Sequence, residues 1–406
     1  MGKRLNFWYG SIFGTYWMIY GIVSSFASVF LLAKGYANVQ IGMTLAAANI
    51  LAVVLQPLTA DLADRSAKVG VIGIASAMTV MMMVFTLGLF VFPGGGLALC
   101  VIFVLLIAWH TVLQPMYNSL TFKLEESGVP VNFGIARSVG SLAYSLLVAV
   151  LGTLVEHMGI MVLPATAEIT CAMMLISLAM TWKTFQKARQ MNAAGEKTQL
   201  NKNEGEEEHE TITMRQFVAR NRLFFLLNIG VVGLFFSNSI LNNYMVQIVT
   251  DVGGTSEDMG RILGLMAFLE IPTMVVFSRL KKRFSCQSLL KVASVGFTLK
   301  ILLCWLADSV AMLFAAQAFQ LVSFALFLPG MVYFTGEIMS KGEAVRGQAL
   351  FTTMITVTTI FSSLLGGWVL DVSGAKTLTF AATLATAAGA ALIFAVIDRI
   401  GKTDGR

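Results

Sequence analysis

The stretch VNFGIARSVGSLAYSLL, residues 131–147, decides how the chain is read. It opens an apolar run long enough to cross a bilayer, for which about 20 helical residues suffice. Arg137 sits within its first turns, and a charge inside a span is costly and usually functional. Ser141 follows four residues later and Tyr144 seven residues later. At 3.6 residues per turn the three share one helix face, with Arg137 and Tyr144 about 10 Å apart along the axis. A guanidinium and an aromatic ring on one face suit a site for a hydroxylated or anionic solute. An arginine near the membrane surface that snorkels to water or lipid phosphate has the same pattern. The residues alone leave both readings open.

The rest of the chain agrees that this is a membrane segment. Of 406 residues, 57% are hydrophobic and 12% charged, where a soluble domain carries about a quarter charged residues. The net charge of +6 is no nucleic-acid signal, because the basic residues fall in short loops between apolar runs. Cys100, Cys171, Cys286 and Cys304 are scattered, without a metal-ligand spacing or a disulfide framework. His110, His157 and His209 lie too far apart to form a ligand motif. The start, MGKRLNFWYG, leads into a long apolar run without a cleavage site, so the first helix is expected to be retained.

Charge-free runs separated by turn signals give twelve spans, at 8–33, 39–60, two within 69–122, 133–155, 159–182, 223–250, 262–277, 289–306, 309–335, 346–370 and 377–397. The 69–122 run has no charged residue and is divided by Pro93-Gly94-Gly95-Gly96. Residues 183–221 are polar, with the run KNEGEEEHE at 202–210, and read as a linker with a mobile middle. Its end, ITMRQFVARN, suits a short interfacial helix. The expected fold is therefore all-α, with twelve transmembrane helices in two pseudo-symmetric six-helix bundles, 1–183 and 222–406, joined by a cytoplasmic loop at 184–221. With both termini inside, inner loops and tails hold 23 of the 28 Lys and Arg and outer loops hold three, Lys34, Arg261 and Lys376. The positive-inside rule then fixes the orientation.

Polar groups inside the spans mark candidate sites. Asp61, Asp64, Arg65 and Lys68 end the second span, either as a solvated loop or as a gating latch. The fourth span carries His110, Tyr117 and Asn118. A histidine there reads chiefly as a hydrogen bond between helices, with a proton role as the sharper alternative. The sixth span carries Glu168. The seventh has Asn238, Asn242 and Asn243, and amides in a span either bond across helices or line a hydrated cavity. Glu270 stands alone among apolar residues of the eighth span. Buried in hydrocarbon, a carboxyl is either neutral or held ionised by a cation. Lys300 of the ninth span is the expected partner, so the pair reads as an ion pair, a proton-coupling element, or both. Gln317, Gln320 and Ser323 recur at helical spacing in the tenth span. The threonines at 352–359 are expected to bond back to their own helix. Gly366-Gly367 reads as close helix packing.

With these residues collected, the chain resembles the major facilitator superfamily over nearly its whole length. LTADLADRSAK (58–68) resembles the signature loop after the second span, with Ala60 and Ala67 in place of its two glycines. Within the superfamily it is most like the oligosaccharide, nucleoside and phenylpropionate proton symporters, the group of the lactose permease. VNFGIARSVGSLAY places Arg137 on the group's sugar-contacting arginine and Tyr144 on its ring-stacking aromatic. MAFLEIPTMVVF (266–277) places Glu270 on the sugar-binding glutamate. The chain departs from the group where Asn118-Ser119 replaces a glutamate and where Gln320 and Ser323 replace a histidine and a glutamate. Asn238 and Leu241 stand for two aspartates, and Ile355 falls near a lysine. Proton coupling would then run through Glu270 or another carboxylate.

The resulting expectation is a secondary transporter of the bacterial inner-membrane type, working by alternating access around a mid-membrane site. The site is expected to be lined by Arg137, Tyr144, Asn118, Asn238, Asn242, Glu270, Gln320, Tyr16 and Tyr20. Glu270 and Lys300 are assigned to proton coupling, and Asp64 and Arg65 to gating. The solute is a sugar or glycoside first and an aromatic acid second, taken up with protons by a monomer. No cofactor, metal or nucleic acid is expected. The alternatives are a sugar or drug exporter and a non-transporting sensor. An embedded enzyme would need a nucleophile, metal cluster or carboxylate pair that the spans lack.

Overall fold

The computed structural model describes residues 2–65, 70–92, 95–125, 131–193, 214–339 and 341–404. Among them every regular element is helical. α1 (Gly2–Tyr20) passes through a π-helical turn, Gly21–Ser25, into α2 (Ala27–Ala33). Then come α3 (Asn38–Arg65), α4 (Gly70–Val91), α5 (Leu97–Glu125), α6 (Phe133–Met158) and α7 (Val162–Ala193). The short helix expected near 212–221 is α8 (Met214–Arg220), followed by α9 (Arg222–Asp251), α10 (Ser256–Arg283) and α11 (Cys286–Leu306). The tenth span is not one helix. It is α12 (Val310–Ala316), a 3-10 stretch at Gln317–Leu321 and α13 (Phe324–Ile338). α14 (Lys341–Asp404) closes the chain. The linker residues expected to be mobile, at 194–213, lie outside the described residues.

Eleven described helices are long and apolar enough to cross a membrane. The last of them has 59 residues, about three times what one crossing needs. It bends at Gly374, whose φ of 79° only glycine adopts readily, so α14 supplies two spans and the described residues hold twelve. Lys376, just past the bend, donates to the carbonyls of Trp305, at 3.0 Å, and of Ala307, satisfying the end of α11.

Two compact units divide the described helices. The first comprises Met1–Thr198 with Gly254–Phe268. In it α1 packs on α6 and α7, α3 on α5, and α4 on α5 and α7. The start of α10 belongs here because Ser145 Oγ donates to the Gly264 carbonyl at 2.7 Å. Gly152 and Gly260 also meet there so closely that a Cβ on Gly260 would stand 3.0 Å from the Gly152 Cα.

The second unit comprises Gln199–Gly253 with Leu269–Arg406. α9 packs along α14, and α11 against α13 and α14. Its core centres on Phe235, whose ring lies 6.0 Å from each of Phe297, Phe324, Phe327 and Phe351. Lipid is as apolar as leucine, so association rests on close packing and buried polar contacts. Gly366 shows the packing: a Cβ there would meet Ile240 at 2.8 Å and the Tyr244 ring at 2.5 Å. Thr352, Thr353, Thr356, Thr358 and Thr359 each donate to the carbonyl four residues back, as expected of hydroxyls on a membrane helix.

Candidate functional site

In the first unit the Asn132 side chain caps α6 by accepting from the Ile135 amide at 2.9 Å. This start puts Arg137 in the second turn. Its Nη1 donates to Ser141 Oγ at 2.8 Å, one turn on. Its guanidinium lies 4.2 Å from the centre of the Trp17 ring, a cation–π contact that helps hold a half-buried charge. Gly140 makes room, since a Cβ there would stand 3.2 Å from both Trp17 Nε1 and the Phe13 carbonyl. The rings continue from Trp17 to Tyr20 at 5.3 Å and from Tyr20 to Tyr144 at 6.0 Å. Tyr16 is buried and stacks on His110 at 4.2 Å.

The π-helical turn completes this wall. Tyr144 Oη and Ser25 Oγ are 2.9 Å apart. A Cβ on Gly21 would stand 2.7 Å from Val148 and 3.4 Å from the Tyr144 ring. Such turns recur at functional sites because they re-aim side chains within a helix. Tyr16, Tyr20, Arg137 and Tyr144 thus come together. Asn118 is exposed on α5, and no hydrogen bond joins it to the rings among the described residues.

In the second unit the polar groups gather at the broken tenth span. Lys300 Nζ donates to Gln320 Oε1 at 2.5 Å, and Gln320 Nε2 donates to Glu270 Oε1 at 2.8 Å. Lys300 is 2% exposed and Gln320 1%. The expected Glu270–Lys300 connection therefore runs through an amide that accepts from the ammonium and donates to the carboxyl. The 3-10 winding explains the position of Gln320. At three residues per turn Gln317 and Gln320 eclipse, and Ser323 follows just past the end of the stretch. All three are buried. Gln317 Nε2 donates to the Leu313 carbonyl at 2.8 Å and lies 3.7 Å from Cys304 Sγ, one turn beyond Lys300. Thr273 Oγ1 holds the far end of the break by donating to the Leu321 carbonyl at 2.8 Å. Gly296 lets the Val322 carbonyl approach α11, where a Cβ would stand 2.9 Å from it.

On α9, Asn238 and Asn242 are half-buried, and Asn242 Nδ2 donates to the Asn238 carbonyl at 2.9 Å. Asn243 Nδ2 donates instead to Ser363 Oγ of α14 at 3.0 Å, and the Tyr244 hydroxyl to the Ser363 carbonyl. Among the described residues no hydrogen bond joins Asn238 or Asn242 to the Glu270 group. The gating assignment falls on Asp64 and Arg65, which end α3 and whose side chains lie outside those described. No three metal-ligating side chains cluster among the described residues. Sequence reading missed Trp17, Ser25 and Gly140. The run YWMIY at 16–20, dense in aromatics inside a span, was the available signal for Trp17.

Among the described residues, apolar spans in two all-helical units, with an arginine, a lysine and amides placed inside them, define a polytopic membrane protein. The chain belongs to the MFS_1 like family of the major facilitator type, whose model matches residues 9–382. Over 360 residues it is 25% identical to a maltose permease of Geobacillus stearothermophilus, covering 87% of this chain and 84% of that one. A stretch of 125 residues is 28% identical to the Deinococcus radiodurans protein named "Putative sugar efflux transporter", and spans 30% of this chain and 31% of that protein. A mutant of the nucleoside transporter NupG superposes with a TM-score of 0.76 at 14% identity, covering 97% of this chain and 99% of that one. A bacterial homologue of the iron transporter ferroportin, in an inward-facing state, gives 0.68 at 14% identity, covering 97% and 98%. Similarity at that identity speaks for the fold alone.

Proposed function

We propose that this protein is a secondary transporter that carries a small polyhydroxylated solute, a sugar or a nucleoside, by alternating access, with uptake coupled to protons through Glu270. The observation that carries the reading is the wall of Trp17, Tyr20 and Tyr144 around the half-buried Arg137. Aromatic faces take the flat apolar sides of sugars and bases, and a guanidinium offers oriented donors to hydroxyl or carbonyl oxygens. The resemblance to a maltose permease supports a sugar, and the NupG-like fold is compatible with a nucleoside. The Lys300–Gln320–Glu270 series supports coupling, because charged groups this deep in a span are rarely kept without a function. In such a scheme solvent reaches Glu270 in one facing state and the lysine-held amide shields it in the other, so a proton binds on one side and leaves on the other.

Purified protein in proteoliposomes tests this with radiolabelled maltose and uridine under an imposed pH gradient. The expected outcome is accumulation of one of the two, collapsed by a protonophore. Glu270→Gln then loses gradient-driven accumulation and keeps exchange between equilibrated compartments. Loss of both activities would make Glu270 chiefly a solute ligand. Movement of either probe outward against its gradient would favour the exporter reading, and no flux of either would sink the proposal.

A further inference from the structure

His110 of α5 is 1% exposed, and its ring lies 4.2 Å from that of Tyr16 and nearly parallel to it, at 14°. Its Nε2 is 3.0 Å from the Tyr16 carbonyl oxygen. A carbonyl only accepts, so Nε2 carries the hydrogen and Nδ1 keeps a lone pair. No donor reaches Nδ1 among the described residues. Phenols are close on two sides: the Tyr20 ring is 5.9 Å away, and Tyr117 sets its edge against Tyr16 at 5.7 Å. None of the three bonds it. A buried acceptor without a donor costs free energy until a water or a ligand supplies one.

We propose that His110 Nδ1 accepts a hydrogen bond from a hydroxyl of the transported solute, and so makes the carrier prefer a hydroxylated solute to its deoxy analogue. The inference rests on the carrier reading above and adds His110 to the site as a specificity-determining residue. Tyr16 and Tyr20 belong to the same wall as Arg137 and Tyr144, which puts His110 directly behind it. Tyr20 is the half-buried ring of the group, and its displacement by the solute opens the path to Nδ1. On binding, an unsatisfied acceptor becomes satisfied. A solute without the matching hydroxyl leaves it unsatisfied and is rejected more strongly than lost area alone would give.

Two substitutions separate the two ring nitrogens. In His110→Asn the amide oxygen takes the place of Nδ1, and the bond to Tyr16 is lost. In His110→Gln the amide nitrogen takes the place of Nε2, and the acceptor is lost. Binding of maltose, uridine and their monodeoxy analogues to the full-length protein in detergent provides the readout, with thermal unfolding of each variant measured alongside. For the probe that the parent protein binds, His110→Gln is expected to weaken binding about tenfold or more and His110→Asn less than about threefold. One monodeoxy analogue is expected to bind the parent about tenfold more weakly and to lose nothing further in His110→Gln. The reverse order, with His110→Asn the weaker, would make the Tyr16 bond the whole role of the residue and overturn the proposal. Equal behaviour of the two variants, whether binding is kept or lost, would overturn it too, as would deoxy analogues that bind His110→Gln and the parent with the same discrimination. If the parent protein binds neither maltose nor uridine, the carrier reading falls and takes this inference with it.

Discussion

The two units hold their intramembrane charges by different means. In the first, Arg137 rests on the face of Trp17 and donates to Ser141 on its own helix, and it stays half-buried. In the second, Lys300 is almost fully enclosed and its ammonium meets an amide that turns its other end to a carboxyl. An arginine with a delocalised charge tolerates an aromatic neighbour, and its planar fork presents oriented donors. A lysine is a compact, strongly hydrated charge and needs hydrogen-bond acceptors at close range once water is gone. The first arrangement suits recognition of a passing solute. The second suits a group whose charge is balanced inside the protein.

The contrast breaks most visibly at Lys300. Lys300→Ala would leave the half-buried Glu270 and the buried Gln320 without the cation that orients them. Removing one member of a buried charged set costs about 3–5 kcal/mol in general, and a loss near the lower end is expected here in thermal or denaturant unfolding in detergent. Adding Glu270→Gln to Lys300→Ala should recover part of it, because the group that has lost its cation is then neutral. A double variant no more stable than Lys300→Ala alone would show that Glu270 draws nothing from Lys300 through Gln320.

Arg137 is expected to show the opposite balance. Arg137→Ala forfeits a cation–π contact worth about 1 kcal/mol at a partly exposed site, so the fold should survive. Solute binding should fall by about a hundredfold, because oriented guanidinium donors are lost from the site. Arg137→Lys keeps the charge, loses the planar fork and should restore little of the affinity. A lysine variant that binds as tightly as the parent would turn Arg137 into a surface anchor and erase the difference between the two units.

Much of this was legible in the sequence, and the illegible part has a common cause. Span number and placement follow from stretches of about 20 uncharged residues, which separate 346–370 from 377–397, whereas the bend at Gly374 within one helix is visible only in the structure. Arg137, Ser141 and Tyr144 on one face follow from helical spacing within a single element. The partners did not follow, because they lie far away along the chain: Trp17 is on α1, and Gln320 is separated from Glu270 by 50 residues. Nor did the interruptions. GIVSS at 21–25 and QAFQL at 317–321 contain no proline, and nothing in them separates a π-helical or 3-10 turn from an ordinary one. What sets the windings is the packing of Gly21 on Tyr144 and of Val322 on Gly296, which is tertiary. Sequence places Gln320 among the residues lining the solute site, and only the two charges at its ends make it a bridge.

The finest form of the comparison lies within one helix, at the neighbouring Asn242 and Asn243 of α9. Asn243 reaches across to Ser363 of α14, while Asn242 donates back to the Asn238 carbonyl of its own helix. An interhelical bond of this kind in a membrane protein is worth about 0.6 kcal/mol on average. A back-bond to the same helix ties no two elements together, since both groups stay on α9 whether or not it forms. Asn243→Ala should therefore lower unfolding stability by about 0.6 kcal/mol and leave solute binding unchanged. Asn242→Ala should leave stability within about 0.5 kcal/mol of the parent, as substitutions away from packed features do. If Asn242 lines the solute path, as its position in the seventh span suggests, its alanine variant should still bind the transported probe several-fold more weakly. The pair separates scaffold from site at adjacent positions. Unchanged probe affinity in Asn242→Ala would remove that residue from the solute path and leave recognition in the second unit to Glu270 and Gln320.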